Sequence, residues 1–162
     1  MNYEQIENDV VARLAPLADA GIVIKLPEFQ KEFEKQIDRY KITVAYKGSK
    51  FEDVHTTAHV AQFEDVMIDV TIESRKLRGP GGVYPLMAAV RNLLLGFEPT
   101  DCSRMTLKES SFTDLETNTW SYSFTFVTRG MVVEVDPEEN DPELRTIEVQ
   151  NENGEPVISI TP

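Results

Sequence analysis

Residues 66–99, VMIDVTIESRKLRGPGGVYPLMAAVRNLLLGFEP, decide the fold. Val66, Ile68, Val70 and Ile72 alternate with Met67, Asp69, Thr71 and Glu73, the two-residue period of a strand with one buried face. Arg75-Lys76-Leu77-Arg78 then runs into Gly79-Pro80-Gly81-Gly82, and a helix follows with Met87, Val90, Leu93 and Leu94 as its apolar stripe. Ala88 and Ala89 let that helix approach a sheet closely, and Gly96, before Phe97-Glu98-Pro99, supplies a left-handed C-cap. A Walker loop places Lys-Ser/Thr where its helix begins, so that an ammonium and a hydroxyl reach phosphate and Mg²⁺. This chain has Val83-Tyr84-Pro85 there. The unit is expected to serve assembly, not catalysis.

Upstream, Ile6, Val10, Leu14 and Leu17, joined by Val11, predict a helix over Tyr3 to Asp19, with Pro16 kinking or shortening its last turn and Gly21 as the stop. A short extended piece at Ile22 to Leu26 leads to Pro27–Glu34, either a helical turn with Pro first or a polar loop, where Phe29 and Phe33 share a face. Ile42 to Tyr46 predicts a strand ended by Lys47-Gly48-Ser49-Lys50, with a polar, mobile loop to Thr57. Pairing resumes near Ala58 and runs to about Arg75, with a bulge around Glu64-Asp65.

Downstream, Arg104 to Phe112 and Thr117 to Val135 read as strands about a turn at Thr113 to Glu116, the second bent near Gly130. Trp120, Tyr122, Phe124 and Phe126 share one face, which should anchor the core, while Ser121, Ser123 and Thr125 share the other. Residues 136–143, DPEENDPE, form an acidic linker kept extended by two prolines and charge repulsion. Beyond it, Leu144 to Gln150 and Glu155 to Thr161 alternate about Asn151-Glu152-Asn153-Gly154, a hairpin signal. The expected fold is α+β: a mainly antiparallel sheet with two helices over residues 1–135, a linker at 136–143, and a C-terminal β-hairpin extension at 144–162. A lone hairpin is marginal in water, so Leu144, Ile147, Val149, Val157, Ile158 and Ile160 are expected to dock on the body or on a neighbouring subunit.

Composition narrows the function. Of 162 residues, 41% are hydrophobic and 27% charged, the range of an ordinary globular chain. No apolar run approaches the roughly 20 residues that span a bilayer. The first thirteen residues mix Glu4, Glu7 and Asp9 with single apolar residues and lack the basic start of a signal peptide, so a protein made and used without export is expected. Cys102 is the lone cysteine, which rules out an intrachain disulfide and fits a reducing compartment. The net charge of −12 is uneven: residues 134–162 hold nine acids against one base, so most of the excess sits in the tail. Nucleic-acid binding needs clustered Lys and Arg, which are missing, although DNA could pass an acidic surface without sticking.

No catalytic or metal signature emerges. His55 and His59 are four apart, but loop and strand context separates them by about 13 Å, and no third ligand follows at a suitable spacing. Cys102 reads as a structural thiol, and nothing in the sequence pairs it with a histidine. Glu52-Asp53, Glu64-Asp65 and Glu138-Glu139 read as solvated acids without the spacing of a Ca²⁺ loop. Arg75, Lys76 and Arg78 stand beside a helix N-terminus that could hold an anion. Meeting acidic partners from a flexible loop suits the chain's charge better. No cofactor is expected.

The N-terminal helix, the strand ending in Arg75-Lys76-Leu77-Arg78-Gly79, the helix Leu86-Met87-Ala88-Ala89-Val90-Arg91-Asn92-Leu93-Leu94-Leu95-Gly96-Phe97 and the aromatic strand Trp120 to Val127 together resemble the Mu-like phage tail terminator family over about residues 1–135. Residues 27–57 match loosely, and the linker and hairpin look like an addition. The resemblance implies a non-enzymatic subunit of a homo-hexameric ring, located in the virion tail or neck and assembled in the host cytoplasm. Such a ring caps the tail tube and stops its polymerisation. Its partners would be the tail tube protein, the neck or head connector and, in a contractile tail, the sheath, with DNA passing through the lumen and no membrane contact. Arg75, Lys76, Arg78, Gly79, Gly81, Gly82 and Tyr84 would then form an assembly loop that meets tube or neighbour. Competing expectations are another neck or baseplate component, the cap of a contractile injection system, a small enzyme with a scattered site, and an acidic adaptor for a basic partner.

Overall fold

A computed structural model describes residues 2–27, 39–54, 60–116, 118–134, 147–150 and 156–160, with side chains described up to 134 except at 114–116. Helix α1 (Tyr3–Arg13) opens on Asn2, whose Oδ1 accepts from Gln5 N at 3.2 Å. It stops at Arg13, short of the expected Asp19, and the chain tightens into a 3₁₀ turn over Ala15–Leu17. Pro16 is the cause: it has no N–H to offer the carbonyl four residues back, and its ring blocks a further α-turn.

Strand β1 (Ile22–Lys25), the predicted extended piece, lies parallel to β2 (Tyr40–Phe51), with Ile22 opposite Lys41. The strand expected over Ile42 to Tyr46 is therefore longer at both ends. Lys47-Gly48-Ser49-Lys50 does not end it. The ladder slips once between Tyr46 and Gly48, where Gly48 takes φ 138, and resumes with Gly48 itself opposite Met67. The bulge expected at Glu64-Asp65 does not form: those residues pair regularly with Phe51 and Lys50, and β3 (Ala61–Ser74) keeps an unbroken register with β5 (Thr119–Val133). Residues 28–34, with Phe29 and Phe33, and residues 55–59 lie outside the described segments.

Helix α2 (Val83–Leu94) follows the glycine loop and ends as predicted, with Gly96 at φ 79 and its N–H on Met105 O at 2.8 Å. Strand β4 (Thr106–Glu116) then pairs with β5. The turn expected at Thr113 to Glu116 lies further on, after Glu116 pairs with Thr119, and Asn118 takes φ 62, a conformation its short polar side chain tolerates. Register slips at Lys108 and Thr113 let β4 continue along the twisted β5 instead of turning early.

The five strands run β1-β2-β3-β5-β4, all antiparallel except β1 with β2, which is the α+β architecture expected. Helix α1 covers β1 and β2 while α2 covers β3 and β5, on one face of the sheet. Ile6, Val10 and Leu14 from α1 and Val83, Leu86, Val90 and Leu94 from α2 meet Ile42, Val44, Val66, Ile68, Val70, Ile72, Phe124 and Phe126. Each such side chain contributes about 1.5–3 kcal/mol on burial. A second sheet pairs β6 (Ile147–Gln150) with β7 (Pro156–Ile160), placing Ile147 opposite Ile160 and Val149 opposite Ile158. The linker at 136–143, Leu144 and the Asn151 to Gly154 turn lie outside the described residues.

Candidate assembly surface

The glycine loop is stitched to itself. Ser74 Oγ, at the end of β3, lies 2.8 Å from Gly81 O and 3.2 Å from Arg39 O, and accepts from Lys76 N at 3.2 Å. Gly82 N donates to Gly79 O at 2.9 Å, Val83 N to Lys76 O at 2.9 Å and Tyr84 N to Leu77 O at 3.1 Å. The bonds from Val83 and Tyr84 consume the first N–H groups of α2, so they are not free for an anion at this terminus. Gly79 and Gly81 both take φ 75, and a Cβ on Gly82 would lie 2.7 Å from Arg78 O. The glycines therefore fix the loop's path.

That path divides the basic residues. Arg75 and Lys76, with Arg39, line a cavity of about 570 Å³ whose other walls include Ala20, Tyr40, Pro80, Gly81 and Leu86. Arg78 turns the other way, its guanidinium 5.9 Å from the centre of the exposed Tyr84 ring. Tyr84 meets Tyr122 edge-on at 6.1 Å, Tyr122 meets Phe112 at 5.2 Å and Phe112 meets Trp120 at 6.3 Å. A groove of about 390 Å³ continues this array along α2, lined by Met87, Ala88 and Arg91 with Leu107, Ser110 and Phe124 of the sheet.

Trp120 and Tyr122, expected in the core, are half-buried, and Phe112 is 53% exposed, so only Phe124 and Phe126 of the predicted aromatic anchors are fully enclosed. The reason is coverage. Among the described residues, α1 and α2 hide the centre of the five-stranded sheet but leave the β4–β5 end open. The period-2 pattern gives the face of each aromatic, whereas its cover depends on where the helices lie. Arg91, Phe112 and Tyr122 were missed as surface residues for this reason.

The face of the sheet opposite α1 and α2 carries charge pairs in rows. Arg129 Nε and Nη2 donate to Asp65 at 2.7 and 3.1 Å, and Nη2 lies 2.5 Å from Glu52 Oε1. The Arg129 hydrogen bonds hold the Asp65 carboxyl below its ordinary value against the opposing effect of burial. Lys47 pairs with Asp69 at 3.2 Å, and Lys41, almost wholly buried, pairs with Glu73 at 2.9 Å. On the helix side, buried Glu64 accepts from Tyr3 OH at 2.8 Å, and this bond, with burial and the Glu64 charge, pushes the Tyr3 phenol up to about 12. Burial pushes the Cys102 thiol up as well, away from the thiolate a nucleophile needs.

His55 and His59 lie outside the described residues. Among the described ones no group of three or more acidic, His or Cys side chains converges on a metal-sized site, and no helix is long and apolar enough to cross a membrane. Of the hairpin positions, Ile147, Val149, Val157, Ile158 and Ile160 fall on the paired strands.

A family model described as Gp37 protein matches residues 10–153. The fold is similar to that of a chain in the structure described as "Virion of native gene transfer agent (GTA) particle", with a TM-score of 0.51 and 13% identity over 80% of this chain and 97% of that one. No curated protein is similar enough to count as a match.

Proposed function

The chain belongs to the Gp37 protein family, and on that footing we propose that it is a structural component of a phage-like virion, acting as the tail terminator. Copies of the chain form a hexameric ring on the last ring of the tail tube, stop its growth and join it to the neck and, in a contractile tail, to the sheath. The observation that supports a virion component is the fold likeness to a chain of the gene transfer agent virion, matched over 97% of its length as a whole component and not as a shared fragment; the terminator role is the finer reading placed on it. The self-stitched loop and the aromatic array beside it suit a fixed docking surface: the loop from Arg75 to Tyr84 meets tube or neighbour, and the hairpin from Ile147 to Ile160 meets a neighbour or the sheath. The acidic excess keeps DNA from sticking as it passes the lumen.

The test is cryo-electron microscopy of the purified chain mixed with tail tubes, or of the native particle. A ring at one tube end with uniform tube lengths is the expected result. Protein dispersed in solution, or bound away from the tube end, refutes the terminator role.

A further inference from the structure

The sheet exposes apolar groups at both ends of its long β3–β5 ladder, and the two ends differ in charge. At the end where Ser74 pairs with Trp120 stands the array of Tyr84, Tyr122, Phe112 and Trp120. Arg75, Lys76 and Arg78 of the loop and Arg91 of α2 stand beside it, and they outnumber the acids at this end, Asp114 and Glu116 of β4, once Glu73 is paired with Lys41. Thirteen residues along the ladder, about 43 Å away at the usual rise per residue, Ala61 pairs with Val133. Here Phe51, Val54, Val60, Met131 and Val133 are each roughly half exposed. Glu52, Asp53 and Glu134 stand among them. The cations at this end are Lys50 and Arg129, the latter engaged by Asp65 and Glu52.

From this complementarity we infer that the aromatic, basic end of one copy binds the aliphatic, acidic end of the next. A two-fold contact centred on either end would set that patch against itself, bringing Arg78 and Arg91 against their own copies at the basic end. A head-to-tail contact opposes unlike charges and repeats from copy to copy, which is the geometry that closes a ring. The aromatic end has the composition of an interface centre, with Trp, Tyr and Arg held together by cation–π and ring-edge packing at 5.2–6.3 Å. The inference deepens the ring invoked for the terminator by naming its two faces.

Sedimentation velocity of the full-length chain, over a concentration series at low and high salt, tests it. Association that weakens as salt rises is expected for the unaltered chain. It should be lost in Arg78→Glu with Arg91→Glu, and equally in Met131→Glu with Val133→Glu. Mixing these two variants should give a one-to-one dimer and nothing larger, because each keeps one intact end. All four positions are exposed, so both variants should retain the parent's circular dichroism. Arg78→Ala with Arg91→Ala is a milder version, expected to associate about tenfold more weakly. An unaltered chain that is monomeric at every concentration, variants that associate like it, or a mixture that stays monomeric would each overturn the inference. Tubes still capped by the Arg78→Glu, Arg91→Glu chain would overturn the interface and leave the terminator role standing. A head-to-tail dimer from chains that never bind tubes would do the reverse.

Discussion

Replacing Gly82 with alanine should be far more damaging than replacing Gly79 or Gly81, although all three look alike in the sequence. The added Cβ at position 82 would lie 2.7 Å from Arg78 O and 2.8 Å from both Arg78 C and Arg78 N. All three are backbone atoms, so no side chain can swing aside. Relief requires the loop to open, which strains the bonds from Gly82 N to Gly79 O and from Val83 N to Lys76 O. Overpacking together with two weakened hydrogen bonds costs about 2–4 kcal/mol. For a chain of this size that corresponds to a fall in Tm of about 5–15 °C. At Gly79 and Gly81 a Cβ meets nothing within 4 Å, and the cost is that of φ 75 alone, about 1–2 kcal/mol. Gly81→Asn should recover part of it, because asparagine tolerates that region. Scanning calorimetry of the four variants would give the order. A Gly82→Ala chain within about 2 °C of the parent would refute the loop's steric account.

Tyr3→Phe leaves buried Glu64 Oε1 without its donor and should cost about 1–3 kcal/mol by chemical denaturation. The same variant should remove the last phenol from an ultraviolet titration. Because the folded phenol sits at about 12 and the unfolded one near 10, Tyr3 stabilises fully below pH 10, and that contribution is lost as pH rises toward 12. Phe126→Ala empties a fully buried site and should cost about 3–5 kcal/mol, read from the urea midpoint at constant slope. Arg129→Met removes the partner that holds Asp65 low. The stability Asp65 lends above the ordinary carboxylate range, and loses as pH falls, should then shrink, so the acid limb of the stability profile should flatten.

Much of the body was legible because a strand or helix buried on one side writes its period into the chain. Val66 to Ile72 and Met87 to Leu94 fell where expected, as did the cap at Gly96. The misreadings share a cause. Lys47-Gly48 and Thr113 look like strand ends by local chemistry, yet a neighbouring strand already in register carries the ladder across them as bulges. Local propensity loses to a long partner because each resumed pair regains its hydrogen bonds. The loop residues were found from their glycines and cations, but Arg75 and Lys76 proved to face a cavity while Arg78 faces a ring.

Covalent geometry and neighbours within a few residues show, from the chain alone, which residues have an apolar side, that Pro16 disturbs the helix it falls in and where the charge is concentrated. Tertiary structure alone decided that Phe124 and Phe126 are enclosed while Trp120 and Tyr122, on the same face of the same strand, reach the surface. Alternation sorts side chains between two faces. How much of a face is covered depends on the width and placement of two helices against five strands, and no local period records that.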